Sequence, residues 1–372
     1  MRRPHTAVLA VALAVPLAVA LQPATAAVRA SAGGPGTTSH FDLARKDCVG
    51  TAHGGSKIWF TVAGGVLSDV YEPTIDNTDV ESMRFAVTDG RTFTELQGRD
   101  TTYTVRTDPT GMACTVTTSS KAGRYRLVTT YVTDPRRDAV VVRTRLEART
   151  PLRLYVRLDT NINGNGGGGT ANAGGDTGSV RDGVPVVGDD NTRTSASNRD
   201  YAVPTHLALR ADRPLPQASV GYAGTPSDGA TMLDEHHTLT PGGSAPDGNV
   251  VATAQLPLNH GETTFALGFG RTDGQAADTA GAAARRPFAA TANDYQDGWR
   301  AYDRGLRRPP GAYAGAYYAS ANVIKASEDK TFPGAVVASL ASPWGQALSA
   351  ADRSGGQPFY FGSYREVFSR DL

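Results

Sequence analysis

The stretch Lys57-Ile58-Trp59-Phe60-Thr61-Val62-Ala63-Gly64-Gly65-Val66-Leu67-Ser68-Asp69-Val70-Tyr71-Glu72-Pro73 decides the fold class. Ile58, Phe60 and Val62 alternate with Lys57, Trp59 and Thr61, the period of two that sends successive side chains to opposite faces of a strand. Gly64-Gly65 turns the chain, and residues 66–71 form a second β-prone run that ends at Glu72-Pro73. This is a hairpin pattern. Comparable runs recur at residues 83–88, 91–96, 101–106, 113–118, 125–133, 139–146 and 152–160. Between them lie Asp89-Gly90, Asp108-Pro109-Thr110-Gly111, Lys121-Ala122-Gly123 and Asp134-Pro135, all with turn chemistry. Short strands at even spacing, with no helices between them, predict a mainly β protein. The expected architecture is a large antiparallel β-sandwich over residues 41–271.

Further along, Asn163-Gly164-Asn165-Gly166-Gly167-Gly168-Gly169 opens a glycine-rich region, residues 161–200, that reads as a solvated loop. It has no Gly-Lys-Ser/Thr and no strand-to-helix context, so it is not a phosphate loop. Strands resume at residues 205–210, 218–221, 250–256 and 263–269. Asp234-Glu235-His236-His237 resembles a metal cluster on paper. On a strand its neighbours would point to opposite faces, which favours a solvated edge. Residues 275–304 are rich in alanine and charge and read as one or two helices inside a helical linker, 272–310. Arg307-Arg308-Pro309-Pro310-Gly311 breaks the chain. Tyr313, Ala316, Tyr317, Ser320 and Ile324 then recur at helical spacing and predict a helix from about 312 to 329 with that stripe buried. Lys325, Glu328 and Asp329, also at helical spacing, read as a solvated face. A domain begun near 311 and stopping at Leu372 has few residues for a core of its own, so 311–372 reads as the incomplete start of a second domain.

Lys+Arg number 37 and Asp+Glu 36 among 372 residues. That balance argues against a nucleic-acid binder, whose affinity rests on phosphate contacts, and against a polybasic membrane anchor. Arg2-Arg3, the apolar residues 7–21 and Ala24-Thr25-Ala26 have the order of a secretory signal, residues 1–26, removed before Ala27. A small, polar leader follows at 27–40. No other segment is long and apolar enough to span a bilayer, so a secreted protein is expected. Only Cys48 and Cys114 are present. In an oxidising compartment one intramolecular disulfide is the economical pairing, with two buried thiols as the alternative. The acidic loops leave calcium conceivable, but no ligand set stands out, and no cofactor is expected.

The residues 57–76 quoted above, through Thr74-Ile75-Asp76, resemble the opening of the N-terminal domain of bacterial glucodextranases and prokaryotic glucoamylases, in glycoside hydrolase family 15. Val87-Thr88-Asp89-Gly90 resembles the next family segment. Glu328-Asp329-Lys330-Thr331-Phe332-Pro333-Gly334-Ala335-Val336-Val337-Ala338-Ser339-Leu340 and Ser342-Pro343-Trp344-Gly345 resemble the start of its catalytic region. The resemblance covers about residues 41–372 and is weakest through the glycine-rich loop. It implies a β-sandwich, a helical linker and the first elements of an (α/α)6 barrel. The implied activity is removal of glucose from the non-reducing ends of α-glucans with inversion. Inversion needs one carboxyl group to protonate the leaving oxygen and another, far enough away, to activate a water. The family's two glutamates fall beyond residue 372, so no catalytic residue is assigned in this chain. Phe368-Ser369-Arg370-Asp371 matches the family's aromatic-x-Arg-Asp motif, which implies that Phe368, Arg370 and Asp371 hold the terminal glucose of an α-glucan oligosaccharide or polysaccharide. Phe368 stands where the glucoamylases often have tryptophan, which leaves the α-1,4 or α-1,6 preference open.

Two functions follow from these residues. One is the front part of an exo-acting α-glucan hydrolase. The other is a stand-alone carbohydrate-binding or scaffolding β-sandwich without catalysis. Residues 311–372 divide them, because a binding module has no need of a barrel's first helix. A related family of glycoside phosphorylases also couples a sandwich to a helical barrel, but Ser342-Pro343-Trp344-Gly345 suits the hydrolases better.

Overall fold

The computed structural model describes residues 29–37, 46–164, 175–190, 203–337 and 340. In chain order the strands begin with β1 (Cys48–Thr51), β2 (Trp59–Ala63), β3 (Val66–Tyr71), β4 (Thr78–Thr88), β5 (Thr94–Leu96) and β6 (Thr101–Thr107). They continue with β7 (Cys114–Ser120), β8 (Tyr125–Thr133), β9 (Ala139–Ala148), β10 (Arg153–Thr160), β11 (Thr177–Arg181) and β12 (Val184–Asp189). Then come β13 (Thr205–Ala211), β14 (Gln217–Tyr222), helix α1 (Gly229–His236), β15 (Ser244–Ala245), β16 (Val250–Gln255) and β17 (Glu262–Gly270). Helices α2 (Asp273–Arg285), α3 (Phe288–Gly305) and α4 (Ala314–Ala326) follow, and short 3-10 turns lie at Ile162–Gly164 and Gly311–Tyr313.

These strands form two antiparallel sheets. The first has the order β1-β2-β3-β4-β10-β16-β14, with β5 attached to β4, and the second the order β15-β11-β12-β13-β17-β9-β8-β7-β6. The β2–β3 hairpin turns at Gly64 and Gly65, with φ of 61° and 73°, the left-handed pair that matches the twist of a two-residue hairpin. Between the sheets lies one core that includes Phe60, Leu67, Met83, Phe85, Tyr131, Val142, Leu158 and Phe265. Phe85 and Phe265 meet edge to face across it, with ring centroids 6.2 Å apart. Cys48 and Cys114 are joined by a disulfide that ties β1 in one sheet to β7 in the other.

Three elements differ from the sequence reading. First, within 161–200, β11 and β12 form a hairpin instead of loop, turning at Asp182 and Gly183 with φ of 50° and 75°. The polyglycine run at 166–169 lies outside the described residues. Second, Asp234, Glu235 and His236 close helix α1 instead of edging a strand. Asp234 pairs with Arg99, and His237, in the left-handed conformation past the helix end, meets the Thr94 hydroxyl at 3.0 Å.

The third difference concerns α4. Its stripe faces outward, with Tyr313 69% and Ile324 72% exposed, while Asn322 and Ala326 are buried. The docking face is made of small and polar residues. Ala319 lies against Gly111, and Asn322 Nδ2 donates to Thr110 O at 2.9 Å. Hydrophobic periodicity cannot register such a face.

The segment expected as a linker is packed. Helices α2 and α3 lie on the outer face of the second sheet, where Tyr295 and Trp299 of α3 join Val132, Val141 and Ala266 in a smaller core. Tyr295 donates its hydroxyl to Met112 O at 2.9 Å and Trp299 its Nε1 to Thr51 O at 2.8 Å. Fully burying aromatics of this size stabilises by roughly 1.5–3 kcal/mol each, and both polar tips are satisfied. Trp299 thus fixes the loop after β1, the ground on which the next segment docks. Among the described residues no helix is long and apolar enough to cross a membrane.

Candidate functional site at the seam

Phe368, Arg370 and Asp371, the residues expected to hold a sugar, lie outside the described residues. The described part of the same region is the block after α4, and it lands on the sandwich.

Strand β2 explains where. The sequence reading gave it one buried face, yet Trp59 and Thr61 are as fully buried as Phe60 and Val62. Phe60 and Val62 point into the main core. Trp59 points the other way, where Tyr71, Ile75, Val337 and Leu340 cover it. An outward tryptophan on the β2–β3 hairpin is thus the platform for residues 329–337 and 340.

Two charged side chains make the attachment. Lys330 extends over the Trp59 ring, its ammonium 4.9 Å from the centroid, a cation–π arrangement. Its Nζ donates to Thr51 Oγ1 at 2.5 Å and to Ala52 O and Ser56 O, each at 2.7 Å. Burial pushes the Lys330 ammonium down to about 7, against the opposing fields of Asp138 and Asp329. Asp329, read from sequence as part of a solvated face, is 4% exposed. The reason is that α4 ends at Ala326, so helical spacing no longer applies at 328 and 329. One Asp329 oxygen accepts the Ile75 amide of the sandwich at 2.7 Å. The other accepts the amides of Thr331 and Phe332, at 2.7 and 2.6 Å, and shapes its own turn. Thr331 Oγ1 adds a bond to Pro73 O at 2.7 Å.

Next to this latch is a cavity of about 300 Å³ lined by Thr51, Ala52, His53, Trp299, Lys325 and Glu328, among others. His53 stacks near Trp299 and Tyr302, with centroids 5.4 and 5.1 Å away. Burial, then Lys325 and Lys330, hold its pKa below the ordinary value, which favours neutral imidazole. Lys325 and Glu328 form an ion pair at the mouth. The arrangement joins two parts of the chain. Of the two carboxylates that line it, Glu328 is paired with Lys325, and Asp329 accepts backbone amides. Among the described residues no three His, Cys, Asp or Glu side chains gather to hold a metal ion. Nothing in the composition pointed to Lys330, although a lysine four residues past a helix end and followed by Pro333-Gly334 is placed to fold back on its neighbour.

Comparison with known proteins accounts for this two-part layout. Residues 31–304 match the family described as glucodextranase, domain N. A glucoamylase of Clostridium sp. (strain G0005) is 31% identical over 347 residues, covering 91% of this chain and 46% of the relative. A crystal structure of a bacterial glucoamylase complexed with acarbose superposes with a TM-score of 0.77 at 31% identity, over 92% of this chain and 48% of that one. The chain therefore spans about half the length of the relatives it matches.

Proposed function

Because this chain belongs to the family of glucodextranase N-terminal domains, we propose that it is the front part of an exported, inverting, exo-acting α-glucan hydrolase. The observation that carries the reading is the extent of the glucoamylase similarity. An alignment covering 91% of the chain must run past residue 304, where the sandwich match stops, into α4 and the docked block. A module that only bound polysaccharide would not need that block, nor the half-buried Lys330 that fastens it.

In this reading the sandwich is a rigid base, and Lys330 and Asp329 fix the point where the catalytic region leaves it. Phe368, Arg370 and Asp371 hold the non-reducing glucose, since charged groups make strong hydrogen bonds to neutral hydroxyls. The acid and the base come from the half of the relatives' length that this chain does not span. Export is supported by the order of residues 1–26 and by the paired Cys48 and Cys114. The test is glucose release from maltooligosaccharides and isomaltooligosaccharides. The 372-residue chain alone should release none above a mock preparation. Turnover by that chain would overturn the reading and send the search for two carboxyl groups back to its own residues.

A further inference from the structure

We propose that the outer face of the first sheet carries a binding site for a neutral, hydroxyl-rich ligand of sugar size. A cavity of about 450 Å³ opens there, between strands β4, β10 and β16 and helix α1. That falls within the ~300–1,000 Å³ of small-molecule pockets.

Its floor is dictated by strand alternation. Leu154, Val156 and Leu158 point into the core, so Tyr155, Arg157 and Asp159 point outward. The register sets Arg157 opposite Arg84 on one side and Thr253 on the other, with Asp159 opposite Ser82 and Val251. Asn249 lies on the same face as Thr253, four residues before it. Helix α1 forms one wall. Asp228 caps it, accepting the Ala230 amide at 2.9 Å, and Arg157 holds that cap through a two-point bond of 2.9 and 2.7 Å. At Gly229 a Cβ would lie 2.3 Å from Thr253 Oγ1, so only glycine lets the helix sit this close.

Charge selects the ligand class. Arg157 is committed to Asp228 and, at 2.8 Å, to Asp159. With Arg84 the wall holds two cationic and two anionic groups, which leaves no surplus to draw phosphate or carboxylate. Hydrogen-bonding capacity remains unused. Among the described residues Asp159 Oδ1, Asn249 Oδ1 and Thr253 Oγ1 have no hydrogen-bond partner. Their residues are only 5%, 2% and 1% exposed. Buried polar atoms of this kind are normally satisfied. Two are acceptors and the third is a hydroxyl, which suits donors from a polyol. Ala86, Leu96, Ala230 and Leu233 supply an apolar side for the C–H face of a pyranose.

This inference does not depend on the catalytic reading above, and its test is separate. The 372-residue chain would be titrated by calorimetry with maltotriose, isomaltotriose and inorganic phosphate. The expected result is binding of at least one trisaccharide and none of phosphate. Thr253→Val keeps the shape and removes an unpartnered hydroxyl. It should leave the melting temperature equal or higher, yet weaken the sugar by several-fold. Ala230→Phe, on the half-exposed wall, should weaken it at least ~10-fold. Absence of sugar binding at millimolar concentration overturns the proposal, as does phosphate competing for the site. Binding undiminished by Ala230→Phe also overturns it, because the sugar would then sit elsewhere, as at Arg370 and Asp371.

Discussion

An ammonium group has three N–H bonds, and Lys330 places them on one oxygen at the end of β1 and two in the loop after it. Burial opposes the charge and holds the group near 7, against an ordinary 10.5. Between those values the unfolded chain binds more protons than the folded one, so stability rises with pH across that window. Below pH 7 both states are protonated and this contribution is level. Lys330→Met should cost about 1–3 kcal/mol at neutral pH, because Ala52 O and Ser56 O lose their donor. The gap between wild type and variant in urea titrations should then widen from pH 7 to 10. A gap that narrows over that range would contradict the assignment. None of this was legible beforehand. The block containing Lys330 could be recognised, but Lys325, Glu328 and Asp329 at helical spacing were read as one solvated face. What overrode the spacing was the end of α4 at Ala326, which sequence does not mark with a glycine or proline at that position.

Helix α4 shows the same limit at the level of elements. Its existence followed from periodicity, but its orientation did not, since Tyr313 and Ile324 point outward and Asn322 points in. The helix is seated by a small-residue contact and one buried amide. Asn322→Ala should therefore destabilise by about 1–2 kcal/mol, leaving Thr110 O unpaired. Ile324→Lys should stay within about 0.5 kcal/mol and should improve solubility by dividing the exposed apolar face. Equal losses from the two changes, measured by thermal unfolding, would mean that α4 is seated the other way round. The strands were easier to read. Residues 125–133 alternate cleanly, and β8 covers that range. The β11–β12 hairpin was hidden by its surroundings. Asp182-Gly183 is a strong turn signal, but glycines on its N-terminal side diluted the pattern. Helix α1 was missed because its signal, Asp228 as N-cap, is short and polar.

Across the whole molecule, the Cys48–Cys114 bridge closes a loop of 66 residues and couples the two sheets at one edge. On the loop-entropy account it contributes ~4 kcal/mol. Reduction should lower the urea midpoint, and an unreduced chain should take up no alkylating agent. Two alkylated cysteines would remove the bridge from the account. The sandwich could be read from hairpin signals because alternation and turn chemistry are local. The residues proposed to hold the sugar could not, because Phe368, Arg370 and Asp371 are singled out only by their likeness to a family motif and lie outside the described residues.

The most direct test of the central claim begins with the source gene, read onward from the codon for Leu372. The protein it encodes should be expressed and mixed with maltooligosaccharides, and the first glucose released followed by proton NMR before the anomers equilibrate. The account predicts β-glucose from an α-linked substrate, the signature of two carboxyl groups acting across a water. It also predicts a large loss of rate on Arg370→Ala. Release of α-glucose first, or no glucose at all from a correctly folded full-length product, would contradict it.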